Sequence, residues 1–265
     1  FPTLAQYHIR NEKEKFLEHV IIAARHIIFW SFPVTVLFIV LRAQIVRVIL
    51  GAGKFTWADT RLTAASLAIL SLAIVAQGLM FLFVRAFYAA GRTKTPLLIN
   101  FISSAFVIAG SFIFLWIFKN FESARFFFTH LLRVGDMAGV EMLVLPFIFS
   151  LGTILNTFFL WIFFQKDFGQ IGTVLKKTLI DVLYASFTLG ITIYAFLAVF
   201  ARVFNTRTFA GIFFQGLFAG ILGIAAAILV LIFLKNSEFA ENISFLRRKF
   251  WKQAPIVASE PEKLP

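Results

Sequence analysis

Four polar side chains stand where apolar residues surround them, and they are the positions at which this chain could do chemistry. Arg25 precedes a long uncharged run, Arg85 ends one, Asn156 lies inside one, and Asp181 sits one turn into the fifth expected helix. A polar or charged group at membrane depth is costly to bury, which makes each a candidate for contact with a polar ligand. Arg25 has two readings: a cation lining a cavity for an anionic headgroup, or a side chain snorkelling to an interface. Arg85 carries the same ambiguity. Asn156, with Asn100, Gln77 and Gln215, fits hydrogen bonds between helices better than ligand contact. Asp181 has Lys177 at i−4, the spacing of a local ion pair. No HExxH, GxSxG, P-loop or GxGxxG motif occurs. The four histidines, His8, His19, His26 and His130, lack metal-ligand spacing, and there is no cysteine. The chain therefore reads as a non-enzyme with no cofactor and no metal.

The elements that must position these residues are apolar runs. Leu62–Val84, Leu97–Phe118, Met142–Gln165, Val182–Ala201 and Thr208–Leu234 contain no Asp, Glu, Lys or Arg, and Val20–Leu50 contains only Arg25, Arg42 and Arg47. At about 1.5 Å of rise per residue, about 20 apolar residues cross the roughly 30 Å hydrocarbon core. The fold class expected is all-α, a polytopic transmembrane bundle of six spans: Phe16–Leu50, Asp59–Ala90, Thr95–Phe118, Gly139–Gln165, Lys176–Arg202 and Thr208–Lys235. Pro33 should kink the first span. Asp59 or Thr60 suits the cap of the second, and Pro96 falls in the first turn of the third, where its missing N–H costs nothing. Gly216, Gly220 and Gly223 form a small-residue seam for close helix packing. Between the third and fourth spans, Glu122–Arg133 is amphipathic and aromatic, and reads as a helix lying on the membrane surface, with a plain loop as the alternative.

The hydrophobic share of 60%, mean hydropathy of +0.88 and 37 phenylalanines suit lipid contact. The net charge of +12 belongs to lysines and arginines flanking spans, not to nucleic-acid binding. An even number of spans puts both termini on one side. If that side is the cytoplasm, the inner gaps hold 16 of the 25 basic residues, the sense in which such loops are biased. Phe1–Gln6 reads as the tail of an upstream span, so a fragment of a longer protein is expected. The residues after Gln253 lack periodicity and read as disordered.

Local motifs then carry a resemblance. Phe1-Pro2-Thr3-Leu4 resembles an "FPxLS" span end, Arg25–Pro33 an "LR…(I/L)P" helix, and Ile45–Thr56 a "PIVxLLFxxGxF" segment. Arg85-Ala86-Phe87-Tyr88-Ala89-Ala90-Gly91-Arg92-Thr93-Lys94-Thr95-Pro96 is similar to "R(A/G)FYAxxDTxTP", with Arg92 where Asp is usual, and Ser150–Asn156 resembles "AxSxxxxLN". In this order the motifs resemble the MurJ/MviN lipid II flippases, of the multidrug/oligosaccharidyl-lipid/polysaccharide exporter superfamily. The resemblance runs over about Phe1–Gly169.

The resemblance implies two six-helix lobes around a cationic cavity, followed by two extra helices. On that frame, 1–15 is the end of an upstream span and an inner loop, 16–169 four helices of the second lobe, 170–235 the two extra helices, and 236–265 a basic cytoplasmic tail, partly disordered. It implies a multi-pass protein of the bacterial cytoplasmic membrane that moves an undecaprenyl-linked, anionic peptidoglycan precursor between leaflets for cell-wall synthesis. Its partners would be membrane lipids and an N-terminal half of the same transporter. Another lipid-linked sugar exporter, or a non-transporting scaffold, are the alternative readings.

Overall fold

The computed structural model describes residues 4, 6, 7, 12–51, 55–132, 134, 135, 137, 139–205 and 208–251, with only the backbone described at Ala124 and at 245–251. Readings that rest on Phe1–Thr3, His8, Arg10, Lys54, Arg133, Arg207 or the residues after 251 lie outside them. Helix is the regular structure of the described residues, with no strand among them. In chain order the helices are α1 (Lys13–Val40), α2 (Arg42–Leu50), α3 (Trp57–Ser71), α4 (Ile74–Ala89), α5 (Lys94–Asn120), α6 (Glu122–Leu132), a 3₁₀ turn (Val140–Leu143), α7 (Val144–Phe168), α8 (Gly172–Phe200), α9 (Phe209–Phe233) and α10 (Ser237–Trp251). Six segments among the described residues are long and apolar enough to span a bilayer: α1, α3 with α4, α5, the 3₁₀ turn with α7, α8, and α9. Helices are the open-ended solution that satisfies every backbone group in lipid from within.

Two expected helices divide where no local breaker marks them. The first is continuous through Pro33 and is interrupted at Leu41, not at the proline. Leu41 is buried, and its Cδ1 would lie 3.5 Å from a Cβ at Gly220. The glycine seam of α9 therefore receives the residue at which the helix changes course. The second divides at Leu72–Ala73, where the N–H groups reach back three residues, Leu72 to Ile69 at 3.2 Å and Ala73 to Leu70 at 3.1 Å. Helix α7 covers this tightened turn: Ser150 Oγ donates to the Ile69 carbonyl at 3.0 Å, and Thr157 Oγ1 to the Ala76 carbonyl at 2.8 Å. Where the ladder changes within a span, neighbouring hydroxyls supply the missing partners.

The cap of α3 also differs from expectation. Thr56, not Asp59 or Thr60, is the N-cap, and Asp59 completes a capping box by accepting from the Thr56 N–H at 2.8 Å. Two orphan donors are thereby satisfied at once. The segment Glu122–Leu132 is a helix and not a loop, with Phe126, Phe127 and Leu131 exposed.

Three apolar clusters hold the bundle. Phe16, Val20, Ala24 and Ile28 of α1 meet Phe83 and Phe87 of α4 and Leu160 and Phe164 of α7. Val182, Ala185, Leu189 and Ile193 of α8 meet Ala219, Ala227 and Leu231 of α9, with Phe29 and Leu41 of the first span. Ala65 and Ile69 of α3 pack with Leu143, Val144 and Ile148 at the start of the fourth span. Apolar surface gains little from leaving lipid for a protein interior, so association rests on close packing and hydrogen bonds. Gly223 shows the closeness: an added Cβ would fall 2.3 Å from Ile193 Cγ1 and 3.2 Å from the Leu189 carbonyl. Helix α5 is the exception. It packs chiefly on α7, and Leu97, Leu98, Phe101, Ile102, Phe112 and Trp116 are exposed along it.

Candidate functional site

The four residues singled out by sequence fall into three places. Arg25 and Asp181 converge on one polar junction, where α1, α8 and α10 meet. Arg25 Nε lies 3.8 Å from Glu238 Oε1, with the arginine side chain 34% exposed and the glutamate 5%. That Nε is enclosed and makes no hydrogen bond. Thr178 Oγ1 donates to Glu238 Oε1 at 2.7 Å, and Ser237 Oγ to Glu238 Oε2 at 3.1 Å. Beside it, Asn236 Nδ2 donates to Asp181 Oδ2 at 3.1 Å, while Asn236 Oδ1 accepts from the Phe239 N–H at 3.0 Å and so caps α10. Asp181 thus takes Asn236, not Lys177, because Asp181 is buried while Lys177 is exposed.

Burial pushes the Glu238 carboxyl up. The hydrogen bonds from Thr178, its own backbone and Ser237, joined by the charge of Arg25, outweigh burial and hold it below the ordinary glutamate value. A buried carboxylate is tolerable only when paired and hydrogen-bonded in this way.

Asn156 is held elsewhere. On α7, its Nδ2 donates to Asn100 Oδ1 on α5 at 2.8 Å and lies 3.5 Å from Met80 Sδ on α4. The two asparagines stitch α5 to α7 beside Gly152, where an added Cβ would stand 2.3 Å from Val107 Cγ2. Arg85 is exposed on α4. Two further residues of its motif act structurally. Arg92 pairs with Asp167 at the end of α7 and lies over the Phe168 ring, 5.5 Å from its centroid, and Gly91 takes φ +70°, the left-handed conformation that closes α4. Arg92, in the position where aspartate is usual, thereby meets a carboxylate supplied by the fourth span.

The sequence reading missed Asn236, Glu238 and Thr178. A signal for the first two was present: Asn236 is a good N-cap residue, and Phe239, Ile243, Leu246 and Phe250 follow at helical spacing. Thr178 carried none, since a lone threonine in an apolar run looks like any other.

No group of three or more His, Cys, Asp or Glu among the described residues is placed to hold a metal. The arrangement can hold helices in register at membrane depth and present cations at the ends of spans, which suits a membrane passage.

Comparison with known proteins points the same way. The family model "Lipid II flippase MurJ" matches residues 1–219. A protein of Bdellovibrio bacteriovorus described as "Probable lipid II flippase MurJ" is 29% identical over 104 residues, which cover 39% of this chain and 20% of that relative. The match thus takes in about a fifth of the relative's length. Six apolar spans, the motifs around Arg85–Pro96 and Ser150–Asn156, and a family match over most of the chain together place it: the chain belongs to the MurJ lipid II flippase family.

Proposed function

We propose that this chain forms part of a transporter that carries a lipid-linked peptidoglycan precursor from the inner to the outer leaflet of the bacterial cytoplasmic membrane. The observation that carries the reading is the family match over residues 1–219. The chemistry is compatible with it. A diphosphate-bearing amphiphile needs cations at the mouths of its path, and a charge at the bilayer centre costs several kcal/mol. Among the four candidates Arg85 is the one we assign to headgroup contact at the inner mouth, because it is exposed. Arg25 faces Glu238, Asn156 bonds Asn100 and Asp181 bonds Asn236, and these three we assign to positioning helices. Transport would proceed by rocking of two lobes, the other being an N-terminal half.

The chain offers too few charges along its spans to hold such a headgroup across roughly 30 Å of hydrocarbon. It is therefore expected not to transport alone. In a strain depleted of its own flippase, the 265-residue chain should leave growth and outer-leaflet precursor unrestored, whereas co-expression with the N-terminal half of a family member should restore both. Restoration by the chain alone would sink the half-transporter reading.

We infer further that both ends of the chain face the cytoplasm, from the distribution of Lys and Arg. Lys94 and Lys119 are exposed at opposite ends of α5. With no cysteine in the sequence, single Lys94→Cys and Lys119→Cys variants give unique labels. An impermeant maleimide applied to intact cells should modify position 119 and spare position 94; the reverse pattern would invert the topology.

A further inference from the structure

At the end of the molecule opposite α10, the tips of the first two spans and the start of α9 enclose a pocket of about 200 Å³, lined by Ala43, Gln44, Arg47, Trp57, Ile212 and Gln215. We propose that this pocket binds the headgroup of a bilayer phospholipid that carries a hydrogen-bond donor beyond its phosphate.

The pocket is a built feature of the fold. Gly216 of α9 has no side chain at the contact, and an added Cβ would lie 3.1 Å from Gln44 Cβ. The backbones of α2 and α9 therefore approach closely enough to seat Gln44 between them. Gln215, the residue before it, is fixed by donating its Nε2 to the Leu197 carbonyl at 2.9 Å. Trp57 forms the open rim, 60% exposed, at the first residue of a span, the level at which tryptophan settles in a headgroup region.

Two polar groups in the pocket are left incomplete by the protein. Arg47 is partly buried, and its two described hydrogen bonds both leave from Nη1, to the Phe55 carbonyl at 3.3 Å and to Thr60 Oγ1 at 3.4 Å. Both acceptors are neutral and both bonds are long. Among the described residues no carboxylate pairs with Arg47, in contrast to Arg25, Arg92 and Arg125, each of which has one. A guanidinium so placed has donors and charge to give to an anion, and its fork matches a phosphate. Gln44 Oε1 is fully enclosed and has no donor within hydrogen-bond distance. An enclosed acceptor without a donor is costly. Gln44 lines the pocket, so a turn of its side chain toward the opening lets a donor on a ligand remove that cost.

The two incomplete groups differ in sign of need: one lacks an anion, the other lacks a donor. Inorganic phosphate at neutral pH answers the first and carries a P–O–H donor for the second, but it makes no use of the apolar helix surface beside the rim, and it is therefore the competitor in the test. A phosphodiester followed by an ammonium or a hydroxyl, as in phosphatidylethanolamine or phosphatidylglycerol, answers both. Phosphatidylcholine, whose nitrogen has no N–H, answers only the first. The rim opens at the end of two spans, and Ile49 and Leu50 are exposed beside it, so acyl chains can follow the helix surface while the head is held.

The test is native mass spectrometry of the purified full chain in detergent, with palmitoyl-oleoyl phosphatidylethanolamine, phosphatidylglycerol or phosphatidylcholine added at equal concentration. One ethanolamine or glycerol lipid per chain should be retained about fivefold more strongly than the choline lipid, the worth of one hydrogen bond to an otherwise unpaired acceptor. Arg47→Gln should weaken retention of all three by about tenfold. Gln44→Leu should abolish the preference for donor-bearing heads while leaving choline-lipid retention unchanged. Because Arg47 also ties α2 to the start of α3, circular dichroism and gel filtration of that variant accompany the measurement. If Arg47→Gln does not fold, Gln44→Leu decides alone. Equal retention of the three lipids by the unmodified chain would overturn the proposal, as would retention unaffected by either substitution. Full displacement of the lipid by millimolar inorganic phosphate would overturn the lipid assignment in favour of a phosphate site.

Discussion

Phe164→Ala is expected to be among the most destabilising single substitutions in this chain. Phe164 is wholly buried, and its ring lies 5.2 Å from Phe83, 6.0 Å from Phe87 and 4.9 Å from Phe168. In a water-soluble core such a change costs about 3–5 kcal/mol, a transfer contribution plus a cavity contribution. Within a membrane the transfer part largely vanishes, since an unpacked span still lies among acyl chains. The cavity part stays: about 100 Å³ of lost side chain at about 24 cal/mol per Å³ gives about 2.4 kcal/mol. Unfolding of the detergent-solubilised chain by increasing SDS, followed by near-ultraviolet circular dichroism, measures it. A change below about 0.5 kcal/mol would show that α1, α4 and α7 do not associate through this cluster, because surface substitutions fall in that range.

Glu238→Ala is the second. It strands the Thr178 hydroxyl and leaves Arg25, whose Nε is already enclosed, without its carboxylate. Breaking a fully buried ion pair costs about 3–5 kcal/mol; Arg25 is a third exposed, so about 2 kcal/mol is the expectation here. The loss should come with release of α10, read as faster protease cleavage near residue 240. Glu238→Gln should retain the Thr178 hydrogen bond and lose less.

The same junction has a pH signature with a definite sign. The folded-state carboxyl is held below its ordinary value, so its contribution is complete above the ordinary glutamate range and is lost as pH falls through the lower folded value. Protease resistance of α10 should thus hold at neutral pH, weaken under acid, and show no such acid-dependent step in Glu238→Ala. A step unchanged by the substitution would assign the transition to another group.

The spans were legible because uncharged runs of this length have few other uses, and Leu62–Val84 or Thr208–Leu234 admits little else. The interior breaks were not. Leu41, Leu72 and Ala73 belong to good helix-forming types, and what turns the chain there comes from Gly220 and Ser150, far away in sequence. Pro33, which does carry a local signal, lies inside a continuous helix. The candidate residues show the same division. Asn156 could be read as a helix-joining group from its type and depth alone. Arg25 could not, because its partner lies 213 positions later, on a helix that composition made look like a tail. Arg47 was counted only as a flanking charge, and its surroundings became visible once α2, α3 and α9 were brought together.

Helix α5 gives little of itself to the rest of the protein, packing mainly on α7 with its outer face exposed. Its residence in the bilayer is then a matter of partition at biogenesis more than of folding. The chain leaving the ribosome presents a span apolar enough to be released sideways into lipid without any partner helix. Along its outer face, residues are selected by what a translocation channel will hand to the membrane, and along the narrow strip facing Asn156 and Gly152 by what α7 will accept. One helix thus answers to two quality controls, separated in time, on opposite sides of its own axis.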